Sequence, residues 1–157
     1  MQFQVTGMAG LQALLKRAEG KLTNRLPLMN DIGHILQEDV EKNIATQGKR
    51  LGITWKSLAP KTQELRQRHG FPPSAPILIE TGDMVGQIRM TKRTNNEVWI
   101  EPTGAGGIPS QLNIIKARKH QFGVKKRIPQ RRFFEISPFA IKDIRQTVTN
   151  YLQKAFH

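Results

Sequence analysis

Residues 116–134 carry eight lysines and arginines, no Asp or Glu, and the three phenylalanines Phe122, Phe133 and Phe134. Such a block has two chemical uses. Its cations can neutralise phosphates while its rings stack on bases, or charges and rings together can dock on a complementary protein surface. The side chains best placed by type for either use are Lys125, Lys126, Arg127, Arg131, Arg132 and Phe133. Arg131 and Arg132 suit fork-like pairing with an oxyanion, whereas their neighbours Ile128, Phe133 and Phe134 suit a strand seated in a protein groove. On local grounds both uses stand.

Catalytic chemistry finds little to use. His34, His69, His120 and His157 are scattered, with no His-Glu-x-x-His and no i, i+4 histidine pair, so no metal or cofactor site is expected. Glu80 and Asp83 flank Thr81, and capping and turn roles account for them without a reaction. Thr103 to Pro109 is glycine-rich but lacks both the Walker lysine and the Gly-x-Gly-x-x-Gly spacing, and reads as a loop. No nucleophile, base and orienting group come together, so no enzyme is expected.

The whole chain sets the frame. Its 157 residues make most simply one domain, 1–157. An excess of 25 Lys+Arg over 12 Asp+Glu gives +13, a field that attracts nucleic acid or acidic protein surfaces. Without cysteine there is no disulfide, thiolate nucleophile or cysteine-held metal. No charged-then-apolar leader and no run of about 18 apolar residues appears. The expected location is the cytoplasm, with no membrane contact.

These side chains must be positioned by the surrounding elements. Phe3 and Val5 alternate with polar neighbours as in a short strand, and Leu11, Leu14, Leu15 and Ala18 stripe a helix ending at Gly20. Ile32, Leu36, Val40 and Ile44 predict a longer helix that starts near Thr23 to Pro27 and stops by Gly48. Its opposite face carries Asp31, Glu38, Asp39 and Glu41, a surface on which a basic segment could dock. Trp55 and Leu58 precede a short helix opened by Pro60 and closed by Gly70, with Trp55 read as a core plug.

Residues 70–76 and 102–110 are expected as flexible loops on either side of the sheet, and 116–134 as a basic arm. Thr81 caps a short helix over Thr81 to Ile88. Arg89 to Arg93 and Val98 to Ile100 form a hairpin around Thr94 to Asn96, and Ile128 to Ile136 reads as a further strand with Pro129 at its edge. Ser137 and Pro138 open a final helix striped by Ile141, Ile144, Val148, Tyr151, Leu152 and Ala155. Phe122 is expected to be buried and Gly123 to allow a tight turn, with His120 and Gln121 bonding backbone groups where a helix ends. The fold class is α+β: N-terminal helices and a C-terminal helix packed on a small antiparallel sheet.

One ordered set of residues carries a resemblance. Gly52-x-x-Trp55-x-x-Leu58-x-x-x-Thr62 with Arg66, Ile77-Leu78-x-x-Thr81-Gly82-x-Met84-x-x-x-Ile88, His120-Gln121-Phe122-Gly123 and Ile128-Pro129-x-Arg131-x-Phe133 follow one another along the chain. Together they resemble the virion morphogenesis, or tail completion, family of Mu-like and P2-like tailed phages, over about residues 9–155. Lys119 and Gln130 depart from that pattern. The resemblance implies a late structural protein of tail completion or head–tail joining, found in host cytoplasm during assembly and in the virion tail or neck. It implies a homo-oligomeric ring, a hexamer being one form, with tail tube, tail terminator or neck (head–tail connector) proteins as neighbours. Nonspecific DNA contact is the further partner expected beside a DNA channel. A ring needs a heterologous interface, and a basic arm opposite an acidic helix face meets that need, so the expected contact pairs the 116–134 block with the Asp31 to Glu41 face.

Overall fold

The computed structural model describes residues 24–72, 76–78, 87–104, 110–125 and 127–156. The expected strand at Phe3–Val5, the helix over Leu11–Ala18, the site residues Thr81, Gly82 and Lys126, and the side chain of Ala155 lie outside the described residues. The order is α1 (Leu26–Ala45), a 3-10 turn (Lys49–Leu51), α2 (Pro60–Arg68), β1 (Ile88–Arg93), β2 (Val98–Pro102), α3 (Gln111–Phe122) and α4 (Pro138–Phe156). The fold class is α+β, with four helices and a two-stranded antiparallel sheet among the described residues.

Helix α1 is the organising element because two of its faces are apolar. Leu28, Ile32, Ile35 and Leu36 meet Ile144, Val148 and Leu152 of α4, where a four-residue repeat keeps one stripe turned inward. Val40 and Ile44 meet Ile88, Ile100, Trp55, Ala117, Phe133 and Phe134 in a second cluster beside the hairpin. The C-terminal helix therefore packs chiefly on α1. A Cβ on Gly33 would lie 2.4 Å from Met90 Sδ, so the missing side chain sets how closely α1 approaches the sheet.

The hairpin is fixed at its tip and at its irregular edge. Arg25 donates to Asn95 Oδ1 through its amide (3.2 Å) and to Asn96 Oδ1 through its guanidinium (2.6 Å), and Arg93 donates to Asn30. The register slips between Met90 and Lys92, and Met90 N donates to Gln37 Oε1 of α1 at 3.1 Å. A helix side chain thus completes a strand edge that the bulge leaves open. Residues 81–86 of the expected short helix and 105–109 of the expected loop lie outside the described residues; Ile88 begins β1, Pro102 ends β2, and Pro102 and Thr103 are buried, so these positions are not flexible loop.

The largest difference from expectation is at 128–136. No ladder forms there; an isolated bridge joins Val124 with Ile128. The segment instead crosses the core as an irregular strap, bent at Phe134 and Glu135, whose polar groups are met by surrounding side chains. Arg131 N donates to His120 O (2.7 Å) and Arg132 O accepts from Trp55 Nε1 (3.2 Å). The amides of Phe133 and Phe134 both donate to Gln121 Oε1, at 2.9 and 3.0 Å. Asn43 Nδ2 donates to the carbonyls of Phe133 (3.2 Å) and Glu135 (2.9 Å). Asp39 accepts from Ser137 N (2.8 Å), Ser137 Oγ (2.6 Å) and Arg50 (3.0 Å), while Ser137 Oγ caps α4 by accepting from Ala140 N. Side chains of α1 and α3 replace a neighbouring strand, as buried peptide groups require.

The strap supplies a direct test. Asn43→Ala leaves two backbone carbonyls without their donor at a site of no exposure, and each such group costs about 1–3 kcal/mol. Chemical denaturation is expected to show a loss of about 2–4 kcal/mol; a loss below about 0.5 kcal/mol, the range of ordinary surface changes, would contradict this role.

Candidate functional site

The basic block does not form one arm. Its first part is the end of α3, capped at the start by Ser110 Oγ, which accepts from Asn113 N. Asn113, Ala117 and Gln121 recur every four residues and face inward. Phe122 lies about 100° around the helix from Gln121, and it is 61% exposed, which corrects the expectation that it is buried. Leu112 and Ile115 are exposed with it, among the exposed Lys116, Arg118 and Lys119. This face combines large apolar side chains with cations.

After α3 the chain reverses at Gly123, where φ is 74° and ψ 168°. That conformation is open essentially to glycine, and a Cβ there would sit 2.9 Å from Gln130 N and 3.0 Å from Ile128 O. The expected tight turn is present. It brings Val124 and residues 127–131 back beside the His120 end of α3 and opposite the start of α2, around an open cleft of about 930 Å³. Leu58, Thr62, His120, Ile128, Pro129 and Arg131 line this cleft, all of them positions on which the sequence pattern rests. Lys56 and Arg127 add two further cations, and among the described residues no Asp or Glu lines it.

The candidate interface residues separate into three groups. Arg131 is 3% exposed, and its guanidinium donates to Lys56 O at 3.2 Å; Phe133 has no exposure and meets Trp55 edge-on at 6.4 Å. Asp39 is 3% exposed inside the Ser137 and Arg50 network. These three are internal, so they are corrected from contact residues to residues that build the site. Lys125, Arg127 and Arg132 remain exposed, Arg132 beside Glu135 at 3.4 Å. On α1, Asp31 and Glu38 are exposed and Glu41 is half-buried, but Glu38 pairs with Lys42 (2.6 Å) and Glu41 lies 3.8 Å from Arg89. The expected acidic docking face is thus one member short and partly neutralised within the chain.

Of the motif residues, Trp55 is the expected core plug and also a hydrogen-bond donor to the strap. Gln121 bonds backbone groups as expected, those of the strap. Sequence reasoning missed Asn43, and it placed Asp39 on the wrong side of α1. The available signal was their i, i+4 spacing immediately beside Val40 and Ile44. The two departures from the family pattern, Lys119 and Gln130, are both exposed, where substitution disturbs no buried contact.

Electrostatics distinguish the cleft from a solvated patch. Burial, reinforced by the positive charge of Arg66, lowers the Arg131 guanidinium from its ordinary range. Burial first and Arg131 second push His120 down to about 4, so its ring is neutral at pH 7. Its Nδ1 is buried without a hydrogen-bond partner, as is Arg131 Nε.

The family model for phage virion morphogenesis matches residues 7–153. The chain belongs to the phage virion morphogenesis family. No curated protein and no solved structure matches it significantly. Membership assigns the molecule to the building of phage particles, and the cleft unites the family-like positions of three separate sequence segments. No helix among the described residues is long and apolar enough to cross a membrane.

The neutral histidine gives a pH prediction. Above about pH 6.5, the ordinary histidine value, folded and unfolded chains hold this ring in the same state. Between about 6.5 and 4 the unfolded chain binds a proton that the folded chain refuses, so stability falls as pH falls. A full shift of this size corresponds to about 3 kcal/mol, which partial exposure of the ring reduces to on the order of 1–2 kcal/mol. Between pH 7 and 4.5, wild type is expected to lose that much more stability than His120→Gln in paired denaturation curves. Equal losses would contradict a buried neutral ring.

Proposed function

We propose that this protein is a structural assembly component of a contractile-tailed phage that acts in tail completion or head–tail joining. It works without catalysis, as a homo-oligomeric ring that contacts tail tube, tail terminator or neck proteins. The observation that carries this reading is the exposed surface of α3 and the following turn: Leu112, Ile115 and Phe122 among Lys116, Lys119, Lys125 and Arg127, on a chain of the virion morphogenesis family. Apolar side chains set within charge are what a protein–protein contact uses, the rings and aliphatics for affinity and the charges for register and steering. A ring requires a heterologous contact, one surface of each copy meeting a different surface of the next, and this face provides one of the two.

The burial of Phe133 and Phe134 weighs against a nucleic-acid-binding module as the main role, because only Phe122 of the three rings in the block is free to stack. DNA contact then reduces to a weak electrostatic contribution from a chain of +13.

Charge reversal at exposed positions separates the two roles. The triple variant Lys119→Glu, Lys125→Glu, Arg127→Glu is expected to keep its melting temperature within a few degrees, since none of these side chains is buried. It is expected to weaken attachment to isolated tails in co-sedimentation at least about tenfold, equivalent to roughly 1.4 kcal/mol of contact energy, and to reduce infectious particle yield. Normal attachment and yield, or submicromolar duplex DNA binding by wild type that persists near 0.15 M salt, would contradict the assembly reading.

A further inference from the structure

The cleft beneath α2 holds cations that no described carboxylate answers. Arg131 is nearly fully buried, its guanidinium makes one hydrogen bond, to the Lys56 carbonyl, and its Nε is without an acceptor. Among the described residues no carboxylate pairs with Arg131, Lys56 or Arg127. A guanidinium withdrawn from water with donors unused is costly, and the cost is relieved when an anion accepts from it. The positive charge of Arg66 nearby increases the demand. His120, neutral and with a buried unpaired nitrogen, offers a polar contact beside these charges without adding to them.

The remaining wall is apolar, through Leu58, Pro60, Val124, Ile128 and Pro129. This composition selects among anions. A duplex presents phosphates along a convex backbone and is met by projecting lysines and arginines, which a recessed Arg131 cannot imitate. A side-chain carboxylate is small enough to enter, and its aliphatic neighbour has the apolar wall to cover. At about 930 Å³ the space is that of a small-ligand site and accommodates a few side chains of an extended segment.

We propose that this cleft binds a peptide segment of a partner protein in which an Asp or Glu is flanked by an aliphatic residue. The carboxylate accepts from the Arg131 guanidinium, with Arg127 and Lys56 at its sides, and the aliphatic group rests on Leu58, Val124 and Ile128. That the segment comes from a partner protein rests on the assembly reading; the preference for carboxylate rests on the cleft alone.

The test uses the full chain, isotope-labelled, with the arginine Nε–H resonances followed by NMR. Two probes differ only in charge: acetyl-Leu-Glu-Leu-amide and acetyl-Leu-Gln-Leu-amide. The Glu peptide is expected to shift the Arg131 signal and to bind about tenfold more tightly than the Gln peptide, the size of one charge-assisted hydrogen bond. Arg127→Gln, at an exposed position, is expected to keep the fold and reduce that preference by about threefold or more, and Arg131→Lys to abolish it. Equal binding of the two peptides, or no response at Arg131, would overturn the proposal. So would displacement of the Glu peptide by inorganic phosphate or a twelve-base-pair duplex at lower concentration, which would make this a phosphate site. Tail attachment and peptide preference, both measured on the wild-type protein, distinguish the two readings. Attachment without carboxylate preference removes the cleft proposal alone, and carboxylate preference without attachment removes the assembly reading alone.

Discussion

The structure depends on how residues 131–137 cross the core without a neighbouring strand. A segment buried against helices outside any sheet presents peptide groups at every residue, and each unmatched one carries a penalty of about 1–3 kcal/mol. Asn43, Asp39, Gln121 and Trp55 meet these groups individually, each from a different position on the elements around the strap. Gln121 and Asn43 each serve two backbone groups, which makes them disproportionately important. Because these bonds are specific in place and direction, they fix the register of the strap as a sheet ladder would, but toward helices. Phe133 and Phe134 then fall inside while Arg132 between them and Arg131 turns outward.

That register also makes the cleft. Gly123 reverses the chain, His120 O receives Arg131 N, and Arg131 is thereby held under the loop that enters α2. The same bonds that complete the core bring a buried cation to the wall of an open, mostly apolar space. Core and site are not separate layers in this protein. A residue such as Gln121 is structural by its contacts, and it acts on the site by setting where the strap lies.

The sequence was legible where periodicity controls structure. Ile32 to Ile44 and Ile141 to Leu152 repeat every three or four residues and became α1 and α4, and Val98-Trp99-Ile100 after Thr94-Asn95-Asn96 became the return strand of the hairpin. It was misleading where partners are distant. The alternation around Arg131 to Phe133 has strand character, but nothing local says that the chain bends at Phe134 and Glu135 or that its hydrogen bonds go to side chains about ten residues away in α3 and about ninety away in α1. Asp39 belonged by composition with Glu38 and Glu41, although its position beside Val40 put it on an inward face. Phe122 looked like core because aromatic residues usually are, while the inward face of α3 had already been taken by Ala117 and Gln121. The charge of the block announced a binding surface, but charge could not tell the buried Arg131 from the exposed Arg132 beside it.

The central claim is that the strap is clasped into the core by helix side chains, and amide hydrogen exchange of the native protein tests it most directly. The amides of Phe133, Phe134 and Ser137 donate to buried side-chain oxygens, so they should exchange only when the whole molecule unfolds, with the same opening free energy as Ile144 and Val148 of α4. Exchange of the three strap amides through local opening, several kcal/mol below that of α4, would contradict the account.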